Sequence, residues 1–143
     1  MSIRVPVAAL LAGLALAAAA QTPPPPGPQG RWITASGNLE VEIAPCGSAL
    51  CGTVTKVLAN HSMSRDGEEM KPADDKPVLG MKLLTGFVAQ PDTPNQWDGE
   101  IYNRENGKTY RCRMSLDGTG QLVVRPYVGL PLFGKTQLWQ RQL

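Results

Sequence analysis

Three cysteines and a single histidine hold most of the reactive chemistry open to this 143-residue chain. Cys46 and Cys51 enclose Gly47-Ser48-Ala49-Leu50 at the tip of what reads as a hairpin, so the pair is expected to form a disulfide. Closing that six-residue loop stabilises the fold by about 2 kcal/mol on the chain-entropy account. Cys112 alternates with polar neighbours on the inward side of a strand and is expected to be a buried thiol, in effect a small apolar residue. A Cys–His nucleophile needs a thiolate held beside an imidazole. Cys112 and His61 are both present, but no motif joins them.

Metal chemistry finds little support. One histidine and no Cys-x-x-Cys leave zinc short of soft ligands. Setting Gly67 of Asp66-Gly67-Glu68-Glu69 in the sixth place of a calcium loop puts Ser62 first and Ala73 twelfth, where acids are required. Asp74 and Asp75 are better read as a solvated charged loop than as ion ligands. There is no Gly-x-Ser-x-Gly elbow, no phosphate-binding glycine loop and no His-Glu-x-x-His. Glu40, Glu42 and Glu100 could be paired for glycoside chemistry. Their alternation with Leu39, Val41 and Ile101 instead places all three on an outer, solvated face. The expectation is a non-enzyme with no metal and no cofactor.

Aromatic residues are the remaining candidates. Trp97 shares a face with Gly99 and Ile101 and should point inward, as should Tyr110. Tyr127 and Phe133 flank the Gly129–Gly134 connection, which is apolar for a loop: Leu130, Pro131, Leu132, Phe133. Such a loop either plugs the domain or meets a ligand or partner.

The elements that must position these residues are strands. Leu39, Val41 and Ile43 alternate with Asn38, Glu40 and Glu42. Tyr110, Cys112, Met114 and Leu116 alternate with Thr109, Arg111, Arg113 and Ser115. Turn signals separate the runs at Ser36-Gly37, Cys46-Gly47-Ser48, Glu105-Asn106-Gly107 and Asp117-Gly118. Eight strands are predicted, near 31–35, 38–44, 50–57, 79–88, 96–103, 108–116, 121–127 and 135–141. A meander of that length protects its edges best by closing, so the fold class is all-β, a single eight-stranded antiparallel up-and-down barrel. Thirteen prolines and fifteen glycines suit short strands and turns and disfavour a helical bundle. Ala59 to Pro77 breaks the rhythm as one long polar connection, a lid, a binding loop or a surface excursion.

The chain opens with Arg4 before an apolar run from Val7 to Ala20 that ends in Ala18-Ala19-Ala20, the pattern of a signal peptide cleaved before Gln21. The apolar run is shorter than the roughly 20 residues a membrane span needs. Thr22 to Pro28 reads as an extended leader. The expected division is therefore 1–20 signal peptide, 21–29 proline-rich leader and 30–143 barrel, exported to the periplasm or beyond. The first cysteine after the apolar run is Cys46, so no lipid anchor is expected, and the cleaved product should not span the membrane. A net charge of +2 supplies no basic surplus for nucleic acid.

An ordered series of short motifs runs through the domain. Gly30-Arg31-Trp32 opens it and Trp139-Gln140-Arg141 closes it. Between them stand Ile43-Ala44-Pro45-Cys46, Leu50-Cys51-Gly52, Asp75-Lys76-Pro77-Val78-Leu79-Gly80, Asn106-Gly107-Lys108-Thr109-Tyr110 and Val124-Arg125-Pro126-Tyr127-Val128-Gly129. In order and spacing the series resembles the bacterial exported family called domain of unknown function 2147, over residues 30–141. The resemblance implies a lipocalin-like barrel in the cell envelope, with no catalytic residues to carry over. The Gly-x-Trp opening is also similar to that of lipocalins and their calycin relatives, in which a first-strand tryptophan packs under an arginine near the chain's end. Trp32 and Arg141 match those positions, and a guanidinium stacked on an indole can close a barrel end.

The function these readings favour is non-covalent binding of a small, largely apolar or amphiphilic ligand in a barrel mouth. Trp97, Tyr110, Met114, Tyr127 and Phe133 are the expected lining, with Arg125 as polar anchor. The alternative is a cell-envelope interaction module with a filled barrel, docking a protein through the 59–77 or 130–133 loop.

Overall fold

The computed structural model describes residues 2–16 and 27–143. The expected cleavage site at Ala18–Ala20 and most of the proline-rich leader lie outside the described residues. Among the described residues, no helix is long and apolar enough to cross a membrane.

Eight strands follow in chain order: β1 (Gly30–Ile33), β2 (Leu39–Cys46), β3 (Ala49–Val57), β4 (Lys82–Ala89), β5 (Gln96–Tyr102), β6 (Thr109–Leu116), β7 (Leu122–Tyr127) and β8 (Gln137–Gln142). Each pairs antiparallel with the next, and β1 pairs with β8 to close the barrel. A single 3₁₀ turn, Pro131–Phe133, lies between β7 and β8. The largest departure from the predicted boundaries is at β4, which starts at Lys82 rather than near 79. The intervening residues form a turn instead, with Met81 N donating to Val78 O at 3.0 Å and Gly80 at φ +84°.

The two-residue period decides what fills the barrel. Trp32, Val41, Leu84, Phe87, Cys112, Met114, Val124 and Trp139 are all at most 1% exposed. Two inward glycines make room for the largest of them. A Cβ at Gly99 would stand 2.6 Å from the Phe87 ring, and one at Gly52 would stand 2.8 Å from Leu84. Cys112 is a free, fully buried thiol, and burial pushes its pKa up to about 12, so it is neutral at physiological pH. That is the wrong state for a nucleophile.

Antiparallel succession sorts the connections between two ends. One end carries the β2–β3, β4–β5 and β6–β7 turns and the segment leading into β1, and it is sealed. The guanidinium carbon of Arg141 lies 4.2 Å from the centre of the Trp32 ring. Its nitrogens donate to Gln29 O at 3.0 Å and Gly27 O at 3.4 Å, while Trp32 Nε1 donates to Pro28 O at 2.8 Å. Gly30 is required at this crossing. Its φ of +124° is strained for other residues, and a Cβ there would sit 2.9 Å from an Arg141 nitrogen. Cys46 and Cys51 form the expected disulfide across the β2–β3 hairpin, with Cα atoms 5.5 Å apart.

One outer-face expectation is corrected. Glu42 and Glu100 are exposed, but Glu40 is only 2% exposed, with Thr55 Oγ1 donating to its carboxylate at 2.9 Å. The β2–β3 register shifts between Glu40 and Val41. A bulge of this kind re-aims side chains that strict alternation would send to solvent.

Candidate functional site

The opposite end of the barrel is open. The connections β1–β2, β3–β4, β5–β6 and β7–β8 surround a cavity of about 920 Å³ that continues down between the strands. Its floor is apolar: Leu39 from β2, Leu83 from β4, Ile101 from β5 and Trp139 from β8, each at most 7% exposed. Tyr110 and Pro126 line the wall, and Tyr110 accepts a 2.7 Å hydrogen bond from Asn106 Nδ2 through its hydroxyl. Eight-stranded barrels have interiors that side chains nearly fill or that hold one small ligand. Here the interior is packed as far as Leu39, Leu83, Ile101 and Trp139, and the cavity opens above them beneath the connections.

The long β3–β4 connection is a folded flap over this mouth. Met70 buries its side chain to 4% exposure and joins the cavity lining. Asn38, itself 2% exposed, clasps the flap's start by donating from Nδ2 to His61 O at 2.9 Å and accepting from His61 N at 2.7 Å. The β5–β6 turn holds the rest. Glu105 accepts hydrogen bonds from Ser62 Oγ at 2.7 Å, Met63 N at 3.0 Å, Ser64 N at 2.9 Å and Ser64 Oγ at 2.8 Å. The Ser62 hydroxyl, followed by the Ser64 and Met63 donors, holds the Glu105 carboxyl below the usual carboxylate range. Further along, Tyr102 donates to Asp74 at 2.6 Å, which lowers the Asp74 pKa and raises that of Tyr102. Asp74 is thereby committed to protein donors, Asp75 is exposed, and among the described residues no group of three or more metal-ligating side chains assembles.

Arg104 stands between these acids on the same turn. Its backbone oxygen accepts from Ala73 N at 2.9 Å, which brings the flap down over it, and the residue is 7% exposed. Burial pushes its guanidinium pKa down from the ordinary value, with Tyr102 and Asp74 offsetting part of that effect.

The expected lining residues divide by height along the barrel. Tyr110 lies in the wall of the mouth cavity, and Tyr127 and Phe133 contribute to its rim. Tyr127 lies opposite Arg111 on the outer side of the wall, where its hydroxyl accepts from Arg111 Nε at 3.4 Å. Met114 is fully buried in the packed half, opposite Trp97 and Val124. Trp97 faces inward but at the sealed end, about 13 Å below Ile101 along β5. It borders a separate recess of about 260 Å³ with Gly27, Pro28 and Phe87. Arg125 is on the outer wall, donating from Nε to Pro131 O at 2.7 Å, from Nη2 to Leu132 O at 3.2 Å and from Nη1 to Thr136 Oγ1. Its donors hold the apolar loop and are not turned into the cavity. Arg104, Trp139, Leu83 and Met70 were not expected as cavity residues. The period-two pattern of β8 marks Trp139 as inward; nothing in the Asn103-Arg104-Glu105-Asn106 turn signals burial.

A closed eight-stranded antiparallel meander with one sealed end and one open end is a lipocalin-like barrel. In agreement, the structure is similar to the Helicobacter pylori protein HP1028, described as belonging to the lipocalin family, with a TM-score of 0.58 and 19% identity over 80% of this chain and 82% of that one. The family described as "uncharacterized protein conserved in bacteria", domain of unknown function 2147, matches residues 30–141, and the chain belongs to it. No curated protein matches the sequence.

Proposed function

We propose that the protein binds a small amphiphilic molecule non-covalently in the mouth of its barrel. The observation that carries this reading is the open cavity of about 920 Å³ with an apolar floor, a size that accommodates one small ligand. The lining supplies tail contacts at the bottom and polar groups near the rim, which suits an amphiphile better than a wholly apolar solute. The Cys46–Cys51 bridge supports work in an oxidising compartment, consistent with the signal-like N-terminus. The alternative, an interaction module with a filled barrel, has the exposed Leu130, Leu132 and Phe133 in its favour, but the open cavity at the mouth counts against it.

Trp139 is the natural reporter, because it lies in the cavity floor whereas Trp97 borders the recess at the other end. A ligand of twenty heavy atoms at about 0.3 kcal/mol each gains roughly 6 kcal/mol, which sets the expected Kd in the tens of micromolar. Titration with neutral and anionic amphiphiles should change tryptophan emission in the wild type and in Trp97→Phe, and should give no signal in Trp139→Phe. A broad amphiphile series that leaves wild-type emission unchanged, with calorimetry showing no heat of binding, would reject the reading.

A further inference from the structure

Arg104 is the feature of the cavity that an apolar pocket does not need. The residue is only 7% exposed and borders the cavity, yet among the described residues its guanidinium makes no ion pair, side-chain hydrogen bond or aromatic stack. The two carboxylates nearest in the fold are already committed: Asp74 to Tyr102 Oη and Lys76 N, and Glu105 to the Ser62–Ser64 segment. Among the described residues no polar side-chain nitrogen or oxygen is wholly buried without a partner, so the contact left to the guanidinium nitrogens is with the cavity itself. A largely buried guanidinium whose nitrogens meet only the cavity, with no fixed protein acceptor, gains charge-assisted hydrogen bonds from an anion that enters there.

We propose that Arg104 receives the head group of a carboxylate amphiphile whose tail lies on Leu39, Leu83, Ile101 and Trp139. This rests on the cavity-binding reading above and names the ligand class for it. The five donors of a guanidinium form a planar fork that matches a carboxylate in bidentate geometry, which an alcohol cannot reproduce. The other cation bordering the cavity, Lys135, is exposed and hydrated, so it discriminates weakly.

The test compares decanoate with 1-decanol, which share a tail and differ in the head, at pH 8. Wild-type protein should bind decanoate at least tenfold more tightly than decanol by Trp139 emission and by calorimetry. Arg104→Gln should bring decanoate down to the affinity of decanol and leave decanol unchanged, while Lys135→Gln keeps the wild-type ratio. Arg104→Met should bind as Arg104→Gln does with an undiminished Tm, because it removes a buried charge that has no protein partner. Equal affinity of the wild type for both ligands overturns the proposal while leaving the cavity reading intact, and that comparison needs no variant. Parallel loss of both ligands in Arg104→Gln, with a lowered Tm, would overturn it by showing a structural role. Binding of neither ligand by the wild type removes the cavity reading and this proposal together.

Discussion

Trp32 and Arg141 show how far a single contact can be argued from residue type. The indole and guanidinium are opposite each other in the closing β1–β8 ladder, and the stack is completed by three hydrogen bonds to the chain entering β1. Removing Arg141 therefore strips a cation–π contact and the donors to two backbone carbonyls, those of Gln29 and Gly27, at once. Arg141→Ala should lower stability by about 1–2 kcal/mol, the range for a partly desolvated pair with lost packing. Chemical denaturation of Arg141→Ala, Trp32→Phe and the double variant should reveal coupling, since the two side chains touch. Strictly additive effects would mean that the contact contributes nothing. Arg125 illustrates the opposite limit. Its position beside Tyr127 was legible, but whether the pair faced ligand or loop depended on where the 131–136 segment returned, and that segment takes a hydrogen bond from each of its three side-chain nitrogens. Arg104 was illegible for a similar reason. A charged residue in an Asn-rich turn reads as solvated, and its burial comes from a flap that begins more than forty residues earlier in the chain.

Among the elements, the strands were legible and the flap was not. Alternation of apolar and polar residues along β2 and β6 is a direct consequence of a pleated chain with one wet face, so it survives without any tertiary knowledge. The β3–β4 connection lacks that pattern and owes its conformation to Asn38, Glu105 and Tyr102, which lie far from it in sequence. Glu105 is its main clasp, and the sign of its pH dependence follows from the lowered pKa. Because the folded carboxyl titrates below its ordinary 4.5, the clasp is complete above that value and is lost as pH falls through the lower folded one. Hydrogen exchange should show protected Met63 and Ser64 amides at neutral pH, with protection factors that fall in the acid range below about 4.5. Glu105→Gln should reduce that protection about fivefold at neutral pH, the equivalent of a net hydrogen bond of about 1 kcal/mol. Protection unaffected by both acid and the substitution would show that the flap holds itself.

At the scale of the whole molecule, the barrel divides its interior between stability and function. The sealed half packs Met114, Phe87, Val124 and Trp32 without room for a guest, and glycines at 52 and 99 allow that density. The mouth half ends its packing at Leu39, Leu83, Ile101 and Trp139 and leaves space above them. Period-two reasoning distinguishes inside from outside but carries no information about height along the axis. That is why Trp97, correctly read as inward, stands at the end opposite Tyr110. The hollow mouth is the central claim, and localising a bound amphiphile tests it most directly. In a backbone NMR titration with decanol, amide shifts should concentrate on Leu39, Leu83, Ile101, Tyr110 and Trp139, while Gly47, Ala49 and Trp97 remain still. Shifts confined to the Trp97 recess, or to the exposed Leu130–Phe133 loop with the cavity residues unmoved, would contradict it.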